Sequence, residues 1–326
     1  GGHDQDLLAE RLGERLLPHL GAHAGVMRRL AELRAIRSRQ YELFLHRTPN
    51  YCSGCPHNTS TRLLEGEVAW GSPGCHSFAS IMEQPHKQIM AMTQYGGEGL
   101  PWIGLAPYTD REHIVQNVGD GSFFHSSYLN LRFLVAQNPN ITLKILYNGF
   151  IANTGAQAPT GQKDIPELTR LLELEGVKHV ALVTKEPERY RGVALGATTR
   201  VWPAEEIAAA QQYLREQGGV TVLIYDGMCA NERRRQQKRG KLPTPNQFVV
   251  INEAVCEACG HCGELTNCMS LQRVETEFGP KTQVHQSSCN QDYSCLKGDC
   301  PSFVTVETAP GTGLARPLPP PLAADA

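Results

Sequence analysis

The chain has almost no charge imbalance. Its 326 residues carry a formal net charge of -2, so no bulk field draws it to nucleic acid or to a membrane surface. It has no apolar run of the length that crosses a bilayer, about 18 residues or more. Its N-terminus shows no basic, apolar and small-residue leader pattern. It also lacks the Gly-x-Gly-x-x-Gly fingerprint of a dinucleotide site, because the Gly-rich stretch Tyr95 to Gly104 is too irregular. The basic run from Glu232 to Lys241 has no interleaved aromatics. It reads as a solvated or domain-bridging face, and if functional it would meet a phosphate-bearing ligand or an acidic protein. Nucleic-acid, membrane and dinucleotide functions are set aside, and a cytoplasmic location is expected.

What remains is an α/β pattern with two chemically loaded regions. Glu112 to Val118 reads as a strand ending in Gly119-Asp120-Gly121, Phe123 to Ala136 as a helix, and Ile141 to Leu146 as a buried strand ending in Asn148-Gly149-Phe150. Two parallel strands ending on one sheet edge bring Asp120 and Asn148 together, at the edge where open α/β sheets bind ligands. A carboxylate, an amide oxygen and a turn carbonyl form half a shell for Mg²⁺, which completes its octahedron with phosphates and water. Further on, Ile165 to Glu175 and Ala204 to Gln217 read as helices, with Trp202-Pro203 at the start of the second. Val180 to Thr184 and Val220 to Tyr225 read as strands.

Eleven cysteines are many for a cytoplasmic chain, and the odd count disfavours a closed set of disulfides. Cys52-x2-Cys55 brings two sulfurs to one centre, which leaves zinc, a redox pair and iron–sulfur open. The C-terminal block resembles two-cluster bacterial ferredoxins. There, three close cysteines and a distant Cys-Pro cysteine share a cluster. That assigns Cys256, Cys259, Cys262 and Cys300 to one [4Fe–4S] site, and Cys268, Cys289, Asp292 and Cys295 to a second. Asp292 stands where a middle thiolate belongs. The second site is therefore expected to hold an aspartate-ligated [4Fe–4S] cluster, a labile iron or a [3Fe–4S] cluster. The segment Leu271 to Gln286 is longer than a minimal ferredoxin loop.

The Gly-Asp-Gly…Asn pair, with 26 residues between Gly121 and Asn148, resembles the motif of thiamine diphosphate enzymes. Asn153-Thr154-Gly155-Ala156-Gln157 is similar to a stretch of 2-oxoacid:ferredoxin oxidoreductases. Cys-x-Gly-Cys-Pro-His, Gly-Gly-Glu-Gly and Gln-Ser-Ser-Cys-Asn resemble the indolepyruvate branch of that family. The resemblance covers about residues 48–307. It implies that Asp120, Asn148 and the Phe150 carbonyl hold Mg²⁺, which grips thiamine diphosphate. It implies that Gly119, Gly121, Ser122, Asn153, Thr154 and Gln157 lie along the cofactor, with His57, Gly97 and Glu98 facing it from a neighbouring loop. It implies that Cys52, Cys55, Cys75 and Cys229 hold a proximal [4Fe–4S] cluster. Two or three clusters in all would pass electrons to ferredoxin, while coenzyme A accepts the acyl group left by an arylpyruvate.

The expected organisation is a helical segment over 1–47, a thiamine diphosphate-binding α/β domain over 48–246, a ferredoxin-like α+β domain over 247–307, and a Pro-rich tail over 308–326. Leu7, Leu8, Leu12, Leu16 and Leu20, then Met27, Leu30, Leu33 and Ile36, recur at helical spacing and predict a hairpin packed on a domain or partner. The chain shows one diphosphate motif and no second thiamine-like domain, and its start resembles the middle of something longer. The carboxylate that activates the aminopyrimidine is therefore expected from another domain or chain, in a dimer of such units. Two alternatives stay open: an electron-transfer subunit with a vestigial thiamine fold, and a zinc-binding scaffold.

Overall fold

Two helices open the described part of the chain. The computed structural model describes residues 5–21, 23–38, 49–82, 89–309 and 312. By contact clustering, Gly1–Thr48 form one unit and Pro49–Ala326 another. In the first, Gln5–Leu20 and Ala24–Arg37 fold back on one another. Arg34 reaches across to Glu10 at 2.9 Å and to Glu14 at 2.6 Å. Gly13 lets Leu30 approach so closely that a Cβ there would lie 2.7 Å from its Cδ2. Leu30 and Leu33 are buried, whereas Leu8, Leu12, Leu16 and Leu20 stay about half exposed. The helix expected over 39–47 lies outside the described residues, as does most of the Pro-rich tail beyond Ala309.

The second unit is built on a seven-stranded, wholly parallel sheet. Its strands are β1 (Ala69–Gly71), β2 (Ile89–Met92), β3 (Ile114–Gly119), β4 (Ile141–Tyr147), β5 (Val180–Thr184), β6 (Thr199–Pro203) and β7 (Val220–Asp226). Their order is β2-β1-β3-β4-β7-β5-β6. Helices cover both faces, which is why the central strands read as unbroken apolar runs. On one face Val118, Leu143, Ile145, Leu182, Val222 and Ile224 pack with Phe123, Leu131, Leu134, Leu168 and Leu172. On the other, Leu146, Ala181, Val183, Leu223 and Tyr225 meet Ile207, Ala210 and Leu214.

Local chemistry sets the element ends. Asp164 caps the helix Ile165–Leu174 in a reciprocal capping box with Glu167, a device worth about 1 kcal/mol. Asn138, at φ 49°, ends the helix Tyr128–Gln137 just before Pro139. The helix expected from Phe123 instead starts at Asp120 and passes through a π turn over Phe123–Ser127, a feature frequent at functional sites. Trp202 and Pro203 close β6 and do not open the following helix. The Gly-rich stretch follows β2 and runs into the helix Leu100–Leu105.

Beyond the sheet, β8 (Gln247–Ile251) pairs antiparallel with β11 (Phe303–Glu307), and β9 (Leu271–Thr276) forms a hairpin with β10 (Gly279–Val284). That hairpin is the long inserted segment. The core of this part is small: Val249, Ile251, Cys256 and Val284 are its buried apolar residues. All eleven cysteines of the chain are free thiols. So small a core is of the size that cross-links or metal ordinarily reinforce.

Candidate functional site

The carboxyl ends of β1, β2, β3, β4, β5 and β7 all point to one edge, as a parallel sheet requires. Asp120 follows β3 there and Asn148 follows β4. Asp120 is buried, at 1% exposure. Its Oδ1 accepts the Gly121 N–H at 2.8 Å, and its Oδ2 accepts those of Asn148 at 2.9 Å and Gly149 at 2.7 Å. The Asn148 Oδ1 accepts the Phe150 N–H at 2.9 Å. Gly121 is required because a Cβ would sit 2.9 Å from Ile151 Cγ1, and Gly149 supplies φ 81° to the turn.

Burial pushes the Asp120 carboxyl up to about 6, against the pull of the N–H groups of Gly149, Asn148 and Gly121. Among the described residues no Lys or Arg is paired with it. A buried carboxylate without a cation, beside an amide oxygen, fits a hard divalent ion such as Mg²⁺. The cleft around Asp120 is walled by Gly119, Gly121, Ser122, Asn148, Phe150 and Asn153. From the opposite side come His57, Cys75, His76, Tyr95 and His125.

Thr154, Gln157, Gly97 and Glu98 are not part of that wall. Thr154 and Gln157 bond to each other at 2.8 and 2.9 Å and close their own loop. Glu98 is fully buried; its Oε2 accepts the Ser127 hydroxyl at 2.6 Å, and its Oε1 has no partner. Sequence reasoning missed His76, Tyr95 and His125. His57 and His76 lie with ring centroids 6.3 Å apart. Burial lowers them to about 4 and about 3, so both are neutral. No periodicity marks such residues; only the fold gathers them.

A second cavity adjoins this cleft. Cys52, Cys55, Cys75 and Cys229 all line it, together with His57 and Asn148. Three separate segments, one of them the turn that carries both Cys52 and Cys55, thus deliver the four thiols picked out in the sequence. The Cys229 N–H donates to the Asn148 carbonyl at 3.4 Å. Asn231, also missed, donates its amide to Cys52 Sγ at 3.1 Å. Burial pushes Cys75 up to about 11, and Cys229 and Cys52 add to the rise. Burial also raises Cys55 and Cys52. Four crowded thiols, of which Cys52, Cys55 and Cys75 resist ionisation, are a donor set that a cationic cluster would deprotonate.

The C-terminal cysteines form two sets. Burial raises Cys262, and Cys259, Cys256 and Cys300 raise it further. Burial lifts Cys295 to about 12, helped by Asp292, Cys268 and Cys289. Cys262 thus feels Cys256, Cys259 and Cys300, and Cys295 feels Cys268, Cys289 and Asp292, the groupings expected from spacing. Their loops share a backbone device: among the described residues, five of the seven non-glycine residues with positive φ are Ala258, Asn267, Gln291, Tyr293 and Asp299. Each lies between or immediately before ligand-type residues. The Ala258 N–H donates to Cys256 Sγ and the Gln291 N–H to Cys289 Sγ, both at 3.4 Å. Strain of about 1–3 kcal/mol per residue persists where a site requires it, and amides turned toward sulfur are what a cluster needs. Among the described residues no group of three or more His, Cys, Asp or Glu is drawn tightly enough for a single metal ion.

A larger cleft of about 720 Å³ runs beside Asn148, lined among others by Lys185, Arg189, Asp226, Arg233 and Asp292. Asp292 lies 3.7 Å from the Lys185 ammonium. Among the described residues no helix is long and apolar enough to cross a membrane.

The chain is similar to the indolepyruvate oxidoreductase subunit IorA of Archaeoglobus fulgidus, with 24% identity over 266 residues, covering 78% of this chain and 39% of that protein. It is likewise similar to IorA of Thermococcus kodakarensis, at 24% identity over 248 residues, 69% of this chain and 36% of the relative. The chain therefore spans under two fifths of the length of these curated relatives. No family model matches it. Among solved structures, a 2-oxoglutarate:ferredoxin oxidoreductase from Magnetococcus marinus overlaps 58% of this chain and 66% of its own, with 17% identity and a TM-score of 0.39.

Proposed function

We propose that this chain is the diphosphate-gripping and iron–sulfur part of a 2-oxoacid:ferredoxin oxidoreductase, acting on an arylpyruvate such as indolepyruvate. The observation that carries this reading is the shared wall. Asn148 lines both the cleft of Asp120 and the cavity of the four thiols. A decarboxylase without redox chemistry has no use for a thiol quartet there. The similarity to the IorA subunits supports the same class and the same branch.

Thiamine diphosphate, when bound, supplies the carbanion sink for loss of CO₂ from a 2-oxoacid. Asp120 and the Asn148 amide oxygen, with the Phe150 carbonyl, would hold the Mg²⁺ that anchors it. Gly121 and Gly149 keep the turns low enough for a diphosphate to approach. The neutral, buried His57 and His76 border the cleft without adding charge. Cys52, Cys55, Cys75 and Cys229 would hold the proximal cluster, and Asn231 stabilises the Cys52 thiolate. The two C-terminal sets would lead electrons outward, and the exposure of Cys259 supports its set as the last of them, the one a ferredoxin would meet. The large cleft would take coenzyme A; of its basic side chains Lys185 and Arg189 are paired with Asp292 and Asp226, and Arg233 would meet a phosphate.

The test is compositional. The complex isolated without oxygen is assayed for thiamine diphosphate, iron, sulfide and zinc. Thiamine diphosphate with iron and sulfide supports the reading. Iron without thiamine points to an electron-transfer subunit, and zinc in place of iron to a scaffold.

A further inference from the structure

Ser53 lies between Cys52 and Cys55, on the turn that gives two thiols to the cavity beside Asn148. Its hydroxyl, however, is 3.2 Å from Cys268 Sγ, in the aspartate-containing C-terminal set. The residue is 2% exposed, so no bulk water competes for that bond. The contact is reinforced on every side. The Ser53 carbonyl accepts the Asn290 amide at 2.8 Å. Gly54, at φ 66°, is pressed so close that a Cβ would lie 2.9 Å from Asp292 Cβ. Asn267, the neighbour of Cys268, donates to Asn50 at 3.0 Å and to Asn58 at 2.9 Å, on either side of the same turn.

We propose that Ser53 is a positioning and tuning residue that couples the two metal sites. It joins the Cys52 side to the Cys268 side by one dipeptide and one hydrogen bond, and it raises the electron affinity of the Cys268 site. This inference rests on the reading of both thiol sets as iron–sulfur ligands. A metal-bound thiolate has lone pairs and no proton, so the hydroxyl donates and the sulfur accepts. A donor at a ligand sulfur stabilises the more negative, reduced form of its cluster and raises the potential. In the step that Ser53 favours, one electron leaves the site of Cys52 and one arrives at the site of Cys268. No bond is made or broken and no proton moves, and a one-electron carrier protein is the final acceptor.

The sequence contains its own control. Ser302, 1% exposed, lies 3.0 Å from Cys300 Sγ, so the other C-terminal set has an equivalent hydroxyl at its remote cysteine. Ser53 should therefore tune one site and Ser302 the other.

The experiment is a potentiometric titration of the anaerobic, iron-loaded complex followed by electron paramagnetic resonance. Asp292→Cys identifies which signal belongs to the Cys268 site. In Ser53→Ala that signal is expected to lose electron affinity about tenfold, about 59 mV for one electron. Iron content and the remaining signals should be unchanged. Ser302→Ala is expected to move the other C-terminal signal only. Ser53→Thr retains the hydroxyl and should retain the potential. The proposal is overturned by an unchanged potential in iron-replete Ser53→Ala, by an equal shift in Ser53→Thr, or by loss of iron from the site in both variants. Absence of iron and sulfide from the unsubstituted complex would instead overturn the cluster reading itself.

Discussion

Asn148 and Cys229 are joined backbone to backbone, with the Cys229 N–H donating to the Asn148 carbonyl at 3.4 Å. The amide N–H of the same asparagine donates to Asp120 at 2.9 Å. One residue at the end of β4 is therefore bonded both to the carboxylate of the proposed Mg²⁺ site and to the backbone of a cysteine of the proposed proximal cluster. Substitutions on its two sides should separate two functions that are adjacent in space.

Asp120→Ala is expected to weaken thiamine diphosphate and Mg²⁺ binding by about 100-fold or more, since the first carboxylate on the ion is lost along with its orienting bonds. Three backbone N–H groups also lose their acceptor, at about 1–3 kcal/mol for each that stays buried and unpaired. Bound thiamine diphosphate measured after gel filtration checks this. Retention at the unsubstituted level would remove Asp120 from the site. Iron content should hold, because no thiol is altered.

Cys229→Ala is expected to remove the iron of one cluster and leave the C-terminal sets loaded, because Cys229 shares its cavity with Cys52, Cys55 and Cys75 alone among the cysteines. Iron and sulfide analysis with spectra of the reduced protein gives the count. Unchanged iron would reduce Cys229 to a half-buried thiol at the N-cap position of the helix Ala230–Lys238.

The placement of Asp120 and Asn148 at one sheet edge was legible in the sequence because each follows an apolar strand. The fold class followed from apolar runs alternating with helical periodicity. What could not be read depends on packing between distant segments. Ser53 and Cys268 are 215 positions apart, and nothing in Cys-Ser-Gly-Cys announces a partner for the serine. β1 has three residues and β2 four, too few to show a period. The wall residues His76, Tyr95 and His125 meet only after β1, β2 and β3 have aligned.

Asp292→Cys is expected to raise the iron content of the second C-terminal site or convert it to a conventional [4Fe–4S] cluster, because thiolate suits iron better than carboxylate. Asp292 now lies against Gly54 and 3.7 Å from Lys185. The substitution therefore also frees the lysine. An unaltered spectrum at that site would place Asp292 outside it.

Lys144 runs against the pattern of its strand, a fully buried cation in the middle of β4. Its Nζ donates to the carbonyls of Ser60 at 3.0 Å and Arg62 at 3.1 Å and to the Gln211 amide oxygen at 2.7 Å. It thereby ties the turn after His57 to the sheet. Burial lowers it to about 7, and Glu67 opposes the shift. The unfolded chain keeps this proton up to about pH 10.4, so between pH 7 and 10 the unfolded state binds more protons. Stability conferred by this group is lowest below pH 7 and rises with pH across that window. The denaturant midpoint of the unsubstituted protein should therefore rise, relative to that of Lys144→Met, from pH 7.5 to pH 9.5. A constant difference would show that Lys144 does not change protonation on folding.

This chain alone should be catalytically incomplete. A thiamine site needs a carboxylate on the aminopyrimidine, in a position that the resemblance assigns to a second, pyrimidine-side domain. Glu98 is the acid that the Gly-rich loop offers. It is fully buried, holds the Ser127 hydroxyl at 2.6 Å, and does not line the cleft of Asp120. Its Oε1 has no partner among the described residues. The sequence repeats neither the Gly-Asp-Gly…Asn pair nor its α/β setting. The missing carboxylate should therefore come from another domain or chain. The chain expressed alone and reconstituted with iron is expected to bind Mg²⁺ and thiamine diphosphate. It should not reduce a viologen dye with arylpyruvate and coenzyme A. Adding the pyrimidine-side partner should restore turnover. Turnover by the isolated chain at the rate of the assembly would refute the expectation, and Glu98→Gln would then show whether the activating group is Glu98.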